Sequence, residues 1–274
     1  MPALTKIRFS AKISKQAPIE KVPAGKRLLK MIDAKNFRAE LSRIFGENGL
    51  GSMLSFGKAD KLLALTEHLT AENEKYNLTA ITDPIKIILN HYADSAAILK
   101  FIPKGSKIID IGCGAGFPSL PAAILRDDLN ITSIDSTAKR IEFVKSAAEI
   151  CGLSNLRAEC MRAEDGGKDT QMRERFDIAV SRAVAELRIL SELALPYVKV
   201  GGCLIAMKGR NAENEARDAK RSISMLGGEL KAVEKAEVRG GEEPLEHRAV
   251  IIYKKSKTPS AYPRPYAQIS KKPL

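Results

Sequence analysis

The chain has 274 residues, of which 44% are hydrophobic and 28% charged, as in soluble globular proteins. No run of about 18 apolar residues occurs, which excludes a membrane-spanning helix. The net charge of +12 is concentrated at the two ends, because residues 1–40 carry ten basic and three acidic side chains and residues 253–274 carry six basic ones and no acid. Two basic ends on a nearly neutral body indicate a nucleic acid partner, the alternative being solvated tails that aid solubility.

The cysteines and histidines show no metal-binding pattern. The cysteines have no C-x-x-C spacing and lie in apolar segments, at Cys113, Cys151, Cys160 and Cys203. The histidines are scattered, at His68, His91 and His247. This pattern predicts reduced thiols in a cytoplasmic protein without a metal site.

The first third of the chain divides into two regions. Residues 1–35 show little periodicity and are interpreted as a flexible basic extension, although their low acid content also suits an organellar transit peptide. Residues 36–103 carry apolar side chains at helical spacing and are predicted to form a helical region. Its helices are expected over 36–45, 59–76 and 83–101, with Leu62, Leu65 and Leu69 on the core face of the second.

Strand and helix patterns alternate from residue 104 to 255, which predicts a mostly parallel sheet with helices on both faces. Strands are expected at 107–111, 131–135, 156–161, 176–181 and 202–207, and helices at 119–125, 138–151, 184–198 and 212–226. An antiparallel pair is expected to close the sheet, at 229–239 and 247–254. Residues 256–274 hold four prolines and are predicted to be an extended basic tail without a helix or strand.

A glycine-rich turn follows the first predicted strand of the sheet. Glycines stand at 112, 114 and 116, and such a turn at the end of a parallel strand holds nucleotide-like ligands. A dinucleotide fingerprint requires a third small residue at position 117, which is Phe117. Asp110 precedes the turn, and a carboxylate there repels a pyrophosphate but suits a cationic ligand. The pattern D-x-G-x-G-x-G resembles motif I of class I S-adenosylmethionine-dependent methyltransferases, the alternative being a turn without a ligand.

Polar residues follow the later strands at the same edge of the sheet. Asp135 can accept both ribose hydroxyls of an adenosine group, or can instead cap the helix near Thr137. The triplet 162–164 can line an adenine pocket, although solvated loops often carry such charges. Arg182 can bind a carboxylate or phosphate through its fork, and residues 208–210 add positive charge to the rim.

Several motifs in order resemble the RsmG family, the 16S ribosomal RNA guanine-N7 methyltransferases formerly called glucose-inhibited division protein B. The motifs are YNLTAITDP (76–84), HYADS (91–95), DIGCGAGFPSLPAAI (110–124), DSTAKR (135–140), RAE (162–164), SRAVA (181–185), MKG (207–209) and the tail sequences YPR (262–264) and KKPL (271–274). The resemblance covers residues 40–274. It implies a class I methyltransferase fold over 104–255, preceded by an N-terminal helical cap over 36–103.

The resemblance implies S-adenosylmethionine as cofactor and 16S rRNA or the small ribosomal subunit as partner. The protein is expected to be a monomer. It places cofactor contacts at Gly112, Phe117, Ala163, Glu164 and Arg182. The chemistry of the turn and strand ends adds Asp110, Gly114 and Asp135. RNA contacts are predicted at Lys208, Arg210, Arg264, Lys271 and Lys272. The chain departs from the family pattern at Ser119, at Thr137-Ala138 and at Pro265-Tyr266.

The implied acceptor is N7 of one guanine in the 530 loop, the position equivalent to guanine 527. N7 carries a lone pair and no proton, so no general base is expected and Arg182 is predicted to act by positioning. The segment around Asn77, His91 and Asp94 is expected to organise the helical cap, with a substrate role as the alternative. The competing functions are methylation of a small molecule or protein, nicotinamide-dependent oxidoreduction, and RNA binding without catalysis.

Overall fold

A seven-stranded sheet organises residues 34–274, the part of the chain that the computed structural model describes. The strands are β1 (Lys107–Ile111), β2 (Asn130–Asp135), β3 (Leu156–Cys160), β4 (Phe176–Arg182), β5 (Val198–Lys208), β6 (Gly228–Lys235) and β7 (Arg248–Lys254). Their order is β3-β2-β1-β4-β5-β7-β6; β7 pairs antiparallel with both β5 and β6, and the other pairs are parallel. The predicted mostly parallel sheet with an antiparallel last strand is confirmed.

Helices cover both faces of the sheet. They are α1 (Ala34–Glu47), α2 (Phe56–Tyr76), α3 (Pro84–Ile87), α4 (Asp94–Ala97), α5 (Ser119–Leu125), α6 (Ala138–Ile150), α7 (Ala163–Gly166), α8 (Leu187–Ala194), α9 (Ala212–Asp218), α10 (Lys220–Met225) and α11 (Tyr266–Lys271). Side chains along β1 point alternately to the two faces of the sheet. Ile108 therefore lies in a core shared with α1–α6, and Ile109 and Ile111 lie in a core shared with α8–α10. Burial on both faces explains why the strand is almost continuously apolar.

The N-terminal helices pack on the first of these two faces. Leu62, Leu65 and Leu69 of α2 are fully buried, as their spacing predicts. Ser55 caps the start of α2 by accepting a hydrogen bond from the Lys58 N–H. The expected helix at 83–101 is interrupted, because a π-helical segment, Ile88–Ala93, separates α3 from α4. A π-helical segment is frequent at functional sites, and this one lies against the carboxyl end of β4 through the contacts described below.

Several further predicted elements differ from the structure. The helix expected at 184–198 ends earlier, since Pro196 lacks the N–H that would continue it, and a 3₁₀ turn leads directly into β5. The helix expected at 212–226 is two helices, α9 and α10. The prediction of a tail without secondary structure is wrong, because α11 forms within it and buries Ile269 completely. The predicted flexible extension, 1–35, lies outside the described residues except for its last two, which begin α1.

Candidate functional site

A glycine loop joins β1 to α5. Gly112, Gly114 and Gly116 have φ angles of 69°, 56° and 80°, in the left-handed region that side chains disfavour. The N–H of Gly112 donates to the carbonyl oxygen of Ile134 at 2.9 Å, which holds the loop against the end of β2. A Cβ on Gly112 would lie 2.6 Å from Cγ2 of Val184. The backbone at Gly112 therefore lies too close to the segment after β4 to admit a side chain.

The loop borders a cavity of about 340 Å³ at the carboxyl ends of the parallel strands, called here the loop cavity. Four of the predicted cofactor-binding residues line it, Gly112, Asp135, Ala163 and Glu164. Four others do not, Asp110, Gly114, Phe117 and Arg182. Its remaining wall includes Arg140, Arg162, Val184, Leu193 and Tyr266. The structure thus brings together the residues after β2 and β3, as the strand order requires.

Asp135 stands on the wall of the loop cavity and is 6% exposed. One carboxylate oxygen accepts from the Gly114 N–H at 3.1 Å, and the other accepts from the Thr137 N–H at 2.8 Å. Arg140 lies 3.3 Å from the first oxygen. Asp135 can cap the helix at Thr137 and also accept the ribose hydroxyls of a ligand, because each carboxylate oxygen accepts more than one hydrogen bond.

The adenine side of the predicted site lies at the start of α7. Ala163 and Glu164 form its first turn, where helix N–H groups have no intrahelical acceptor. The Tyr197 hydroxyl donates to the Ala163 carbonyl oxygen at 2.7 Å and fixes this turn. The Glu164 side chain is 9% exposed at the cavity wall. This arrangement offers backbone donors and a carboxylate acceptor to a ligand with purine-like edges.

Asp110 lies beneath the glycine loop and is completely buried. Within residues 34–274, neither of its carboxyl oxygens accepts a hydrogen bond. Burial raises the pKa of Asp110 to about 7, although nearby Ser119 and the positive charge of Arg182 oppose that rise. A cationic ligand at the loop would favour the ionised carboxylate, and this fits a sulfonium and ammonium bearing cofactor.

Arg182 at the end of β4 contacts the N-terminal helical region. Its Nη1 donates to the Asn90 carbonyl oxygen at 2.7 Å and to Oδ2 of Asp94 at 3.1 Å. Its Nη2 lies 3.2 Å from Nδ1 of His91, and its guanidinium lies 5.3 Å from the centre of the Phe117 ring. His91 stacks on Phe117 with ring centres 4.2 Å apart. Phe117, for which a cofactor contact was predicted, is 4% exposed behind this cluster and does not line the loop cavity in this structure.

Asp94 joins two basic groups that come from distant parts of the chain. It is completely buried and accepts from Arg182 and from Nδ1 of His247, the latter at 2.5 Å. The Asp94 carboxylate raises the pKa of His247 above its usual value, although burial opposes this. Burial, assisted by the charge of Arg182, lowers the pKa of His91 to about 4, so this ring is neutral at pH 7. The cluster therefore holds a neutral and a readily protonated histidine beside one arginine.

A second cavity of about 550 Å³, called here the cluster cavity, adjoins this group. It is lined by Ile81, Asn90, His91, Arg182, Ala183, Val184, Ala185, Glu186, Met207, Lys208, Gly209, Glu215 and His247. Ala183 and Val184 also line the loop cavity, so a single segment after β4 separates the two spaces. Ala183 has a φ of 55°, which turns the chain sharply there. The sequence-predicted positioning residue Arg182 belongs to the cluster cavity.

The predicted RNA-binding residues fall into two groups. Lys208 pairs with Glu215 at 2.7 Å, and Arg264 pairs with Glu192, a carboxylate that is completely buried. The other three, Arg210, Lys271 and Lys272, are exposed. Arg210 forms an ion pair with Glu246 at 3.1 Å, and an exposed pair of this kind contributes little to stability.

Sequence reasoning missed several residues of the two cavities. His247, Val184 and Tyr266 had been assigned no role in either cavity, and Asp94 had been given only a packing role with substrate binding as the alternative. The contacts of Asp94 with Arg182 and with His247 join segments separated by 88 and 153 positions, so no local spacing signals them. Tyr266 was visible only as a departure of the tail from the family pattern. Across residues 34–274 no helix is long and apolar enough to cross a membrane, and the same residues hold no cluster of potential metal ligands.

Comparison with known proteins identifies relatives over most of the chain. A family model described as rRNA small subunit methyltransferase G matches residues 58–243. Proteins named ribosomal RNA small subunit methyltransferase G from Clostridium perfringens (strain 13 / Type A) and Clostridium beijerinckii are 42% and 44% identical, covering 83% and 82% of this chain and 95% and 94% of their own length. One from Desulfitobacterium hafniense is 41% identical over 81% of this chain and 91% of its own.

Proposed function

We propose that this chain, which belongs to the rRNA small subunit methyltransferase G family, transfers a methyl group from S-adenosylmethionine to N7 of a guanine in the 530 loop of 16S rRNA. The observation that carries the proposal is the pair of adjoining cavities separated by Ala183 and Val184. One cavity has the donors and acceptors that an adenosine group requires, and the other is lined by the imidazole rings of His91 and His247 and by the cation Arg182, which suit a nucleobase. A methyl group passes between them over a short path only if both ligands meet at this segment.

The residues of the loop cavity fit the cofactor. Asp135 would accept the ribose hydroxyls, and the first turn of α7 at Ala163 and Glu164 would meet the adenine edge. Backbone groups of the glycine loop, with Asp110 beneath them, would face the charged amino-acid portion. When bound, S-adenosylmethionine supplies an electrophilic methyl group on a sulfonium.

The cluster cavity suits a base whose acceptor atom has a free lone pair. A bidentate arginine on O6 and N7, the commonest contact to guanine, would occupy the lone pair that must react. Arg182 is not free for such a bidentate contact, because Nη1 donates hydrogen bonds to Asn90 and Asp94 and Nη2 lies against His91. We therefore assign Arg182 a positioning role, and N7 stays free. The low pKa of His91 keeps its ring neutral at pH 7, so this ring adds no positive charge to the cavity proposed for the base.

The backbone of the RNA requires cations that are free to meet phosphate. Lys271 and Lys272 at the end of α11 and Arg210 after β5 supply exposed positive charge. Lys208 and Arg264 act through their ion pairs, the first at the rim of the cluster cavity and the second as the anchor of the tail. We further propose that the protein works as a cytoplasmic monomer without a metal, since attack by a lone pair needs no Lewis acid.

Transfer of a tritiated methyl group tests this function. Small subunits and deproteinised 16S rRNA from a strain lacking the gene are incubated with the purified chain and labelled cofactor, and the labelled nucleotide is mapped. We expect label at one guanine N7, and no label with Asp135→Ala, which removes the ribose acceptor. Label on an adenine, on a cytosine or on protein would contradict the guanine assignment. Wild-type rRNA, already methylated, is the control and should accept little label.

A further inference from the structure

The last residues of the chain reach the loop cavity. Tyr266, the first residue of α11, lines that cavity together with Leu193, Ala163 and Glu164. Its side chain is 41% exposed, one of few large apolar surfaces left uncovered among the described residues. Ala163 and Glu164 belong to α7, and Leu193 belongs to α8. The ring is therefore available to a ligand in the loop cavity.

The position of Tyr266 is fixed by contacts on both sides of it. Two residues earlier, Arg264 makes two side-chain hydrogen bonds to Glu192 of α8, at 2.9 and 2.6 Å, and its backbone N–H makes a third at 2.9 Å. Later in the tail, Ile269 is completely buried and Arg188 donates to the carbonyl oxygen of Leu274 at 2.8 Å. A bidentate pair to a buried carboxylate is strong and directional. The tail is thus held on α8 by interactions that do not use Tyr266.

We infer that the tail completes the cofactor site and that the Tyr266 ring packs on the adenine of S-adenosylmethionine. This inference rests on the proposed function, which supplies the cofactor. An aromatic ring at a cavity rim gains free energy by stacking on a purine and loses little entropy when its backbone is already fixed. The alternative role, a solvated tyrosine on a surface helix, does not account for its place in the cavity wall beside Ala163 and Glu164.

Calorimetry of the full chain with S-adenosylmethionine gives the first test. Tyr266→Ala should weaken binding about tenfold, and Tyr266→Phe, which keeps the ring, should stay within about twofold of wild type. Tyr253→Ala is the matched control, because Tyr253 on β7 is equally exposed at 41% and lines neither the loop cavity nor the cluster cavity. The same loss should occur with 5′-methylthioadenosine, which keeps the purine but lacks the amino-acid portion. An unchanged affinity for Tyr266→Ala would overturn the inference.

A fluorescence measurement tests the contact without relying on affinity. The chain contains no tryptophan, so Tyr266→Trp introduces a single reporter at the cavity rim. Its emission should change on saturation with the cofactor, whereas the emission of Tyr253→Trp should not. A Tyr266→Trp protein that binds the cofactor without any change in emission would contradict the stacking contact. If wild type itself does not bind the cofactor, the proposed function fails, and the present inference fails with it; if wild type binds and only the Tyr266 variants behave as the control, the inference alone fails.

Discussion

The loop cavity and the cluster cavity adjoin, but they are built in different ways. The loop cavity is lined largely by short segments at the ends of β1, β2 and β3, and its carboxylate Asp135 accepts hydrogen bonds from the backbone N–H groups of Gly114 and Thr137. The cluster cavity depends on side chains that meet across the molecule, with Asp94 between Arg182 and His247. A site made of local backbone geometry is robust to distant changes, while a site made of a buried ionic cluster depends on every member.

The largest expected effect comes from the contact between Gly112 and Val184, a residue of the segment that the two cavities share. Gly112→Ala would place a Cβ 2.6 Å from Val184 in a residue whose φ is 69°. Overpacking and backbone strain together should lower the free energy of unfolding by about 3 kcal/mol, and the displaced loop should bind the cofactor more weakly. Binding is measured by calorimetry and stability by thermal unfolding.

A matched pair separates steric clash from backbone strain at this position. Gly114 also has a positive φ, but a Cβ added there meets nothing within 4 Å. Gly114→Ala should therefore lose only about 1 kcal/mol of stability, from backbone strain. The double variant Gly112→Ala with Val184→Ala should recover part of the lost affinity. Equal losses for Gly112→Ala and Gly114→Ala, with no recovery in the double variant, would show that the contact with Val184 is unimportant.

The second prediction separates the two cavities. Asp94→Asn removes the buried charge that pairs with Arg182 and His247 and so releases Arg182 from its position. The transfer rate should fall about thirtyfold, equivalent to the roughly 2 kcal/mol typical of a hydrogen bond to a charged group. Cofactor affinity should change less than about twofold, because Asp94 does not line the loop cavity. Single-turnover methylation and calorimetry measure the two quantities. A parallel loss of both would show that the two cavities are one energetic unit.

The third prediction concerns Asp110 below the glycine loop. Its folded pKa of about 7 lies above the unfolded value, so the stability it contributes is fully present below the unfolded pKa of 3.8 and is lost as pH rises through 7. Relative to wild type without cofactor, Asp110→Asn should therefore gain about 2 kcal/mol of stability between pH 5.5 and pH 8. Its cofactor affinity at pH 8 should fall about tenfold, because the favourable negative charge is gone.

Thermal unfolding across pH and calorimetry at pH 8 check these two opposite effects. Ser133→Ala serves as the control, since its hydroxyl is also buried without a partner in the described part of the chain but carries no charge. A flat difference between Asp110→Asn and wild type from pH 5.5 to 8 would show that the carboxyl does not titrate in this range.

The smallest expected effect belongs to His247 in the cluster cavity. Asp94 raises its folded pKa, so the stability from protonated His247 is fully present below the unfolded pKa of 6.5 and is lost as pH rises through the higher folded pKa. His247→Gln should flatten that loss, by less than about 1 kcal/mol because the side chain is 35% exposed. Thermal unfolding between pH 6 and 9 measures it. The same slope in wild type and His247→Gln would exclude coupling to Asp94.

Most of the fold could be predicted because its signals are local. Apolar runs gave the strand at Lys107–Ile111 and the helix at Ser119–Leu125 with the bounds that the structure has. The errors occurred where a local pattern continued past a tertiary boundary. The helix pattern through Pro196 and the proline-rich tail are two cases, and in the second the burial of Ile269 against α8 stabilises a helix that composition disfavours.

The sequence by itself determined the chemistry of the loop cavity. Asp135, Ala163 and Glu164 follow neighbouring strands, and the carboxyl ends of parallel strands meet at one edge of the sheet. Only the tertiary structure decided how Asp94, Arg182 and His247 meet, and that the tail reaches Leu193 and the cavity wall. The physical reason is that β1, β2 and β3 are consecutive in the chain and adjacent in the sheet, so the turns that follow them meet at one edge. A buried ionic cluster forms instead between segments that only the packing of the whole chain brings together.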